Sequence, residues 1–143
     1  MTKAYTAKSD GSDLTIKIWD TAGMVRFHTL TQAFYKKADG VLISFDVTDK
    51  ASFANVRNWV DSLNNHANKN APRVLVGNKI DLEEERDVSR EEAEKLAKEF
   101  SISYHETSAK AKIGLKEAFE DVFEQSYRNK FLAQEEKPEA GAR

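Results

Sequence analysis

Two continuous runs of apolar residues constrain the fold of this chain more than any other feature. The runs are Gly40–Asp46 and Arg73–Gly77, and both are rich in valine, isoleucine and leucine. Such runs are typical of strands that are covered on both faces, which are found mostly in parallel sheets. Ile102–His105 is a weaker candidate of the same kind. The sequence therefore predicts a buried sheet with other layers on both sides of it.

Helical patterns lie between and after these strands. Asp49 is a candidate N-cap of the first helix, and Ser89–Glu92 is a capping box at the start of the second. A third helix is predicted to run to about Phe131. Strands that alternate with helices predict right-handed βαβ units in an open α/β sheet. The apolar stripes that we expect to pack on this sheet recur at helical spacing and consist of Phe53, Val56, Val60 and Leu63; Ala93, Leu96, Ala97 and Phe100; and Leu115, Ala118, Phe119, Val122 and Phe123.

The two ends of the chain have different characters. Near the N-terminus, the strict alternation of Leu14–Trp19 predicts a half-buried strand. Ala4–Lys8 is a candidate partner strand, and Ser9–Ser12 is the expected hairpin connection. Near the C-terminus the sequence becomes polar, so we expect one domain over residues 1–131 and a flexible tail over residues 132–143.

Composition excludes several classes of function. The net charge of −2 comes without a basic block, which argues against binding to nucleic acid. The 143 residues contain no cysteine, which excludes disulfides, thiolate metal sites, a cysteine nucleophile and a C-terminal prenylation motif. No apolar run approaches the ~18 residues of a membrane-spanning helix. The three histidines stand at no metal-ligand spacing. We therefore expect a soluble cytoplasmic protein without a transmembrane segment.

Polar loops follow the predicted strands, and ligands of open α/β sheets bind at these strand ends. The first loop is Asp20–Gly23. The carboxylate of Asp20 is a suitable magnesium ligand, because magnesium keeps several waters and takes few carboxylates. Gly23 allows a backbone N–H group to approach a terminal phosphate without a side chain in the way. Read alone, the loop is equally typical of a simple turn.

The second and third loops have the residues of a guanine site. In the loop Asn78–Asp81, the carboxylate of Asp81 can accept hydrogen bonds from both N1–H and the exocyclic amine of guanine, a pair that adenine lacks. The stem of Lys79 can lie along one face of the base, and Asn78 can tie neighbouring loops together. In the loop Thr107–Lys110, the small residues Ser108 and Ala109 allow a backbone N–H group to reach a base carbonyl, while Lys110 can cover the other face of the ring.

Together these loops carry a family resemblance. Trp19-Asp-Thr-Ala-Gly23, Asn78-Lys-Ile-Asp81 and Glu106-Thr-Ser-Ala-Lys110 resemble signature loops of Ras-type small GTPases. The likeness covers about residues 5 to 125. The intervening sequence is similar to the Rab branch, which directs vesicle traffic, at Arg26-Phe27, Phe34–Gly40, Phe45–Thr48 and Phe53–Trp59.

The resemblance has several implications. It implies a three-layer Ras-like P-loop NTPase fold with a mostly parallel sheet, and the ligands GTP or GDP with Mg²⁺. It assigns the guanine base to Asn78, Lys79, Asp81, Ser108, Ala109 and Lys110, the phosphate to Gly23 and the metal to Asp20. The implied partners are trafficking effectors and regulators. We expect the chain to reach endomembranes only through such partners, because the cysteines that Rab proteins use for prenylation are absent.

The sequence also departs from the family pattern. No Gly-x-x-x-x-Gly-Lys-Ser/Thr phosphate loop is present, and the family's first strand and helix have no counterpart. We therefore expect an N-terminally truncated fold, in which Leu14–Trp19 and Val41–Phe45 either keep unpaired edges or pair directly. Met24 stands where the family usually has the glutamine that orients the attacking water. Met24 has two interpretations: a loss of hydrolysis, or packing without functional meaning.

These observations lead to one main hypothesis and two alternatives. The main hypothesis is a Rab-like small GTP-binding protein that, as this chain stands, is impaired in nucleotide binding and hydrolysis. The alternatives are a non-enzymatic pseudo-GTPase binding module and a fragment of a complete GTPase. No catalytic residue is assigned, and the sequence leaves open whether the chain is an enzyme.

Overall fold

The computed structural model describes residues 2–19, 36–66 and 70–132 of the chain. Over these residues the strands are β1 (Thr2–Thr6), β2 (Asp13–Lys17), β3 (Val41–Asp46), β4 (Arg73–Asn78) and β5 (Ser103–Glu106). The helices are α1 (Lys50–Ala54), α2 (Val56–His66), α3 (Arg90–Glu99) and α4 (Leu115–Tyr127), with a 3₁₀ turn at Glu83–Glu85 and a π turn at Arg128–Leu132. No helix among these residues is long and apolar enough to cross a membrane.

The strands form two sheets. β3, β4 and β5 make a parallel sheet with β4 in the centre, while β1 and β2 make an antiparallel hairpin. The α/β fold with a mostly parallel sheet is therefore confirmed. Within the described ranges, β2 and β3 do not pair with each other. Of the two arrangements expected for a sheet without the family's first strand, the one with separate edges holds.

Alternating side chains of β4 separate two apolar cores. Leu75 lies in one core with α2, α3 and β3. Val74 and Val76 lie in the other core, which is formed with α4 and the β1–β2 hairpin. This alternation follows from the two-residue period of a strand. The expected three layers are thus helices, parallel sheet, and helix plus hairpin. Within the described ranges, the hairpin packs on the other layers through side chains and does not pair with β3, β4 or β5.

The predicted helix starts are confirmed. The Asp49 carboxylate accepts hydrogen bonds from the backbone N–H groups of Ala51 and Ser52, at 3.0 and 3.3 Å. The capping box is also present, because Ser89 Oγ accepts from the Glu92 N–H group at 3.1 Å and Glu92 accepts from the Ser89 N–H group at 3.3 Å. These contacts satisfy N–H groups that would otherwise lack partners at a helix start.

Several predicted boundaries differ from the structure. The hairpin closes earlier than expected, because the Ala7 N–H group donates to Ser12 O at 2.8 Å, so β1 ends at Thr6 rather than Lys8. β2 ends at Lys17 instead of Trp19. β5 starts and ends one residue later than predicted, at Ser103–Glu106.

Two predicted helices are also divided. The first is interrupted at Asn55, whose side chain accepts from Asn58 Nδ2 at 2.9 Å. Asparagine weakens a helix interior because its side chain competes for local hydrogen bonds. The last α-helix ends at Tyr127, and the chain continues through the π turn to Leu132 instead of remaining α-helical to about Phe131.

Candidate functional site

Two of the predicted loops meet at the carboxyl edge of the parallel sheet. One follows β4 and the other follows β5, and backbone hydrogen bonds join them. The Thr107 N–H group donates to Gly77 O at 2.8 Å, and the Ile80 N–H group donates to Thr107 O at 3.2 Å. Neighbouring parallel strands bring their carboxyl ends to the same edge, which explains why residues distant in sequence meet here.

The Asn78 side chain links the same loops. Its Oδ1 atom accepts from Thr107 Oγ1 at 3.0 Å and from the Ala109 N–H group at 3.3 Å. Thr107 is fully buried, so the link is protected from water. The Ala109 N–H group, a candidate donor to a base carbonyl, is engaged by Asn78 in this structure. A bound carbonyl group must therefore share this N–H group or displace the Asn78 oxygen.

Ser108 holds the carboxylate of Asp81. Its hydroxyl donates to Asp81 Oδ1 at 2.7 Å and accepts from the Ala111 N–H group at 2.9 Å. Ser108 is completely buried, whereas Asp81 is exposed. A buried hydroxyl that uses both its donor and its acceptor has one preferred orientation. The carboxylate of Asp81 is therefore oriented by the protein before any ligand arrives.

Lys79 extends towards the neighbouring strand. Its backbone has a φ of +67°, which is uncommon for a residue with a side chain. Its Nζ atom lies 2.8 Å from Oδ2 of Asp46, the last residue of β3. Lys110 and Ala109 are exposed in the other loop. The structure thus brings the six residues predicted for the guanine base into two hydrogen-bonded loops at one edge of the sheet.

Sequence reasoning missed two residues that shape this edge. Asp46 ends β3 and contacts Lys79, but nothing local to the sequence identifies the partner of either residue. Gly114 lies at the start of α4 with a φ of +72°, and a Cβ atom there would come 2.3 Å from Glu106 O. A glycine just before a helical stripe was the available signal for Gly114.

The side chain of Glu106, the last residue of β5, is held by hydrogen bonds at the start of the loop that follows. Arg86 donates to both of its carboxylate oxygens, one of them at 3.2 Å, and Tyr104 Oη donates at 2.6 Å. Burial acts to raise the pKa of Glu106, but the hydrogen bonds from Arg86 and Tyr104 outweigh it and hold the pKa below its ordinary value. Burial and the bond to Glu106 raise the pKa of Tyr104. Glu106 is therefore ionised at neutral pH.

The structure does not describe the residues predicted for the phosphate and the metal. Asp20, Gly23 and Met24 all fall outside the described residues. Among the residues that are described, no group of three or more acidic or histidine side chains could hold a metal ion. His105 instead lies 2.7 Å from Asp121 on α4 and joins β5 to that helix. The geometry at hand concerns the base half of the predicted site.

Comparison with known proteins places the chain in a family. A family model described as the Ras family matches residues 2–128. Rab-8A of Gallus gallus is 45% identical over 117 residues, which are 82% of this chain and 56% of that protein. Rab-13 of Rattus norvegicus is 42% identical over 120 residues, which are 84% of this chain and 59% of that protein.

A yeast relative extends the match. The GTP-binding protein ypt2 of Schizosaccharomyces pombe is 42% identical over 134 residues, which are 94% of this chain and 67% of that protein. The chain thus spans less than three fifths of the two animal proteins that it matches. The family match, the Rab relatives and the loops at the sheet edge agree: this chain belongs to the Ras superfamily of small GTPases, on its Rab branch.

Proposed function

We propose that this chain is a Rab-like guanine-binding protein of vesicle traffic whose base site is the edge formed by the β4 and β5 loops. The observation that carries the proposal is the 2.7 Å hydrogen bond from the buried Ser108 hydroxyl to Asp81. This bond orients an exposed carboxylate in advance, and Asn78 holds both loops in register. Preorganised polar groups of this kind give orientation and specificity to a small-molecule site.

The chemistry of this edge suits guanine. A carboxylate at Asp81 accepts two N–H bonds from the guanine edge, which is the charge-assisted arrangement that rejects adenine. Lys79 supplies an aliphatic stem for one face of the ring, and Lys110 supplies another for the opposite face. Ser108 and Ala109 are small enough to leave room for the base. The partners we propose are guanine nucleotides together with trafficking effectors and regulators of the Rab class.

The phosphate half of the site is proposed from sequence alone. Asp20 and Gly23 are the residues that we assign to magnesium and to the terminal phosphate. The 143 residues contain no Gly-x-x-x-x-Gly-Lys-Ser/Thr loop, and Met24 cannot orient a water molecule as glutamine does. Phosphoryl transfer depends on charge that is positioned around the phosphates. We therefore propose that the chain binds nucleotide mainly through the base and that its hydrolysis is impaired.

A binding module without catalysis is the second candidate function. Met24 at the position of the usual glutamine favours it. Such a module would recognise guanine through the same edge, and it would engage protein partners without turnover. Single-turnover hydrolysis separates a slow enzyme from a module, because only the enzyme forms product above the background rate.

Substitution of Asp81 by asparagine tests the base site. Asp81→Asn replaces one acceptor oxygen by an NH₂ group, which is a donor. This donor would face the N–H donors of guanine, but it can donate a hydrogen bond to the acceptor that xanthine presents at the same position. We expect guanosine affinity to fall at least tenfold, equivalent to the loss of about 1.4 kcal/mol, while xanthosine binding improves. NMR titration of both variants with both nucleosides measures this change.

The matched control is Asp61→Asn, which changes an exposed carboxylate on α2 and removes the same charge. This variant should keep the affinities of the unsubstituted protein. Equal guanosine affinity of the Asp81→Asn and unsubstituted proteins would contradict the proposed base site.

A further inference from the structure

Asp46 lies beside the proposed base site, and several hydrogen bonds hold it. It ends β3 directly opposite Asn78 in the parallel register with β4. Its Oδ1 atom accepts from the Thr48 N–H group at 2.8 Å and from Thr48 Oγ1 at 2.6 Å. Its backbone N–H group donates to Ser52 Oγ at 2.9 Å. The carboxylate is thus held by its own strand end and by the turn that follows.

The second oxygen of Asp46 holds the lysine of the base site. Lys79 Nζ lies 2.8 Å from Asp46 Oδ2, and the side chains of Lys79 and Asp46 are 53% and 22% exposed. An ion pair whose lysine is this exposed adds little to stability. Lys79 also keeps a left-handed backbone, with a φ of +67°, which the surrounding structure must impose. Because the Asp46–Lys79 pair adds little stability, its main effect is to hold the Lys79 side chain in one position.

The charges around the pair agree with this contact. The hydrogen bond to Asp46 raises the pKa of Lys79, and the charges of Asp49 and Asp81 add to the effect. Burial acts to raise the pKa of Asp46, but its bonds to Lys79 and Thr48 outweigh it and lower the pKa. Both partners are therefore charged at neutral pH.

We propose that Asp46 is a positioning residue that anchors the Lys79 ammonium group so that the lysine stem lines the face of a bound guanine ring. The inference deepens the proposed function and rests on it. A free lysine side chain must lose rotamer freedom when it packs against a base, which weakens binding. The Asp46 anchor removes much of that freedom before the ligand arrives, and such preorganisation increases affinity.

Contacts with the face and with the edge of the guanine ring affect the affinities for guanosine and inosine differently. The stem of Lys79 does not reach the exocyclic amine, so it supports guanosine and inosine alike. Asp81 accepts from that amine, so it distinguishes the two nucleosides. Loss of the Asp46 anchor should therefore weaken both nucleosides by about three- to tenfold and leave their ratio unchanged. Loss of the Asp81 carboxylate should change the ratio.

The experiment compares the full chain with Asp46→Asn, an isosteric change that keeps an acceptor for Thr48. NMR titrations give the affinities for guanosine and inosine, and ¹³C-labelled lysine gives the pKa of Lys79 independently of any ligand. We expect the Lys79 pKa to fall and both nucleosides to bind more weakly. Thr48→Ala, which only loosens the carboxylate, should give a smaller loss in the same direction. Asp39→Asn breaks another aspartate–lysine pair, in which Lys130 Nζ lies 3.2 Å from Asp39 Oδ2, and serves as the control without effect.

The outcomes separate the two proposals. A lower Lys79 pKa with unchanged nucleoside affinity would overturn the role of Asp46 and leave the base site intact. A changed ratio of guanosine to inosine affinity would also overturn it, because Asp46 would then act on the ring edge. If the unsubstituted chain bound neither nucleoside, the proposed function would fail and this inference with it.

Discussion

Gly114 shows how a single backbone conformation shapes the proposed base site. The loop after β5 returns on itself through reciprocal backbone hydrogen bonds between Ser108 and Ile113, both at 3.0 Å. The chain then enters α4 through Gly114, whose φ is +72°. A Cβ atom at this position would lie 2.3 Å from Glu106 O, a backbone atom that cannot move alone. The loop that holds Asp81 through Ser108 therefore depends on a residue without a side chain.

A matched pair of glycine substitutions tests this dependence. Gly11 in the hairpin has a φ of +75°, but nothing lies within 4 Å of a Cβ atom placed there. Gly11→Ala should cost only the left-handed strain, about 1–2 kcal/mol. Gly114→Ala adds a steric clash, which costs a further ~1–3 kcal/mol. Urea denaturation of both variants measures the difference. Equal free energies of unfolding would show that the Gly114 clash relaxes at no cost.

At the scale of elements, side chains connect the β1–β2 hairpin to α4. The Tyr5 ring meets the Phe123 ring edge to face, with centroids 5.4 Å apart. Tyr5 Oη and the Lys8 N–H group both donate to Glu124 on α4, at 2.9 and 2.7 Å. Burial and the contact with Glu124 raise the pKa of Tyr5 to about 12. Lys8 also pairs with Glu120 at 2.9 Å. The hairpin is thus fastened to α4.

Two arginine–glutamate pairs join elements in different environments. Arg86 holds Glu106 of β5, and the two side chains are only 16% and 9% exposed. Arg57 of α2 holds Glu99 of α3 at 2.8 Å, with both side chains more than half exposed. The same chemistry therefore occurs once in a sheltered position and once at the surface. Removing one partner of such a pair lowers the stability more when the charge that remains is buried.

Glutamine substitutions compare these pairs. At pH 7, Glu106→Gln should lower the free energy of unfolding by about 2–3 kcal/mol, because it leaves Arg86 sheltered without its anion. Glu99→Gln should change it by less than about 1 kcal/mol. The pKa of Glu106 is lowered in the folded state, so its stabilisation is present above the unfolded pKa of about 4.3 and is lost as pH falls further. Urea denaturation at pH 7 and pH 3 should show that the difference in free energy of unfolding between Glu106→Gln and the unsubstituted protein is smaller at pH 3. A constant difference would contradict the charged interaction.

At the scale of the whole molecule, the proposed base site has no recognisable phosphate loop beside it in the sequence of 143 residues. Charge-assisted hydrogen bonds contribute ~1.5–3 kcal/mol each. A nucleotide that lacks about four such phosphate contacts loses ~6–12 kcal/mol, or roughly four to nine decades of affinity. The affinity that remains would come from the contacts of the loops after β4 and β5. The magnitude of the loss predicts that phosphate contacts, rather than base contacts, decide how tightly a chain with the proposed site would bind a nucleotide.

Calorimetry with GTP, GDP and guanosine measures the affinities that test this expected loss. We expect millimolar or weaker affinity for all three ligands, with guanosine binding about as well as GTP, because the phosphates add few contacts. Hydrolysis of GTP in a single turnover should remain at the background rate. Submicromolar GDP affinity that is lost when magnesium is chelated would contradict this prediction and reveal an intact phosphate site.

The sequence by itself determined what depends on neighbouring residues. The N-caps at Asp49 and Ser89, the buried run of β4 and the loop Asn78–Asp81 are each encoded by residues that lie within a few positions of one another. Local periodicity and capping chemistry act over one or two turns of chain, so these features are accessible to sequence reasoning. The α/β class follows from their order.

Only the tertiary structure decided which distant groups meet. The pairing of Asp46 with Lys79 depends on the parallel register of β3 and β4, and the bond from Ser108 to Asp81 depends on that of β4 and β5. The packing of the hairpin on α4 likewise joins residues that are far apart in the sequence. Register and packing are set by the burial of many apolar side chains at once, and no short stretch of sequence carries that information.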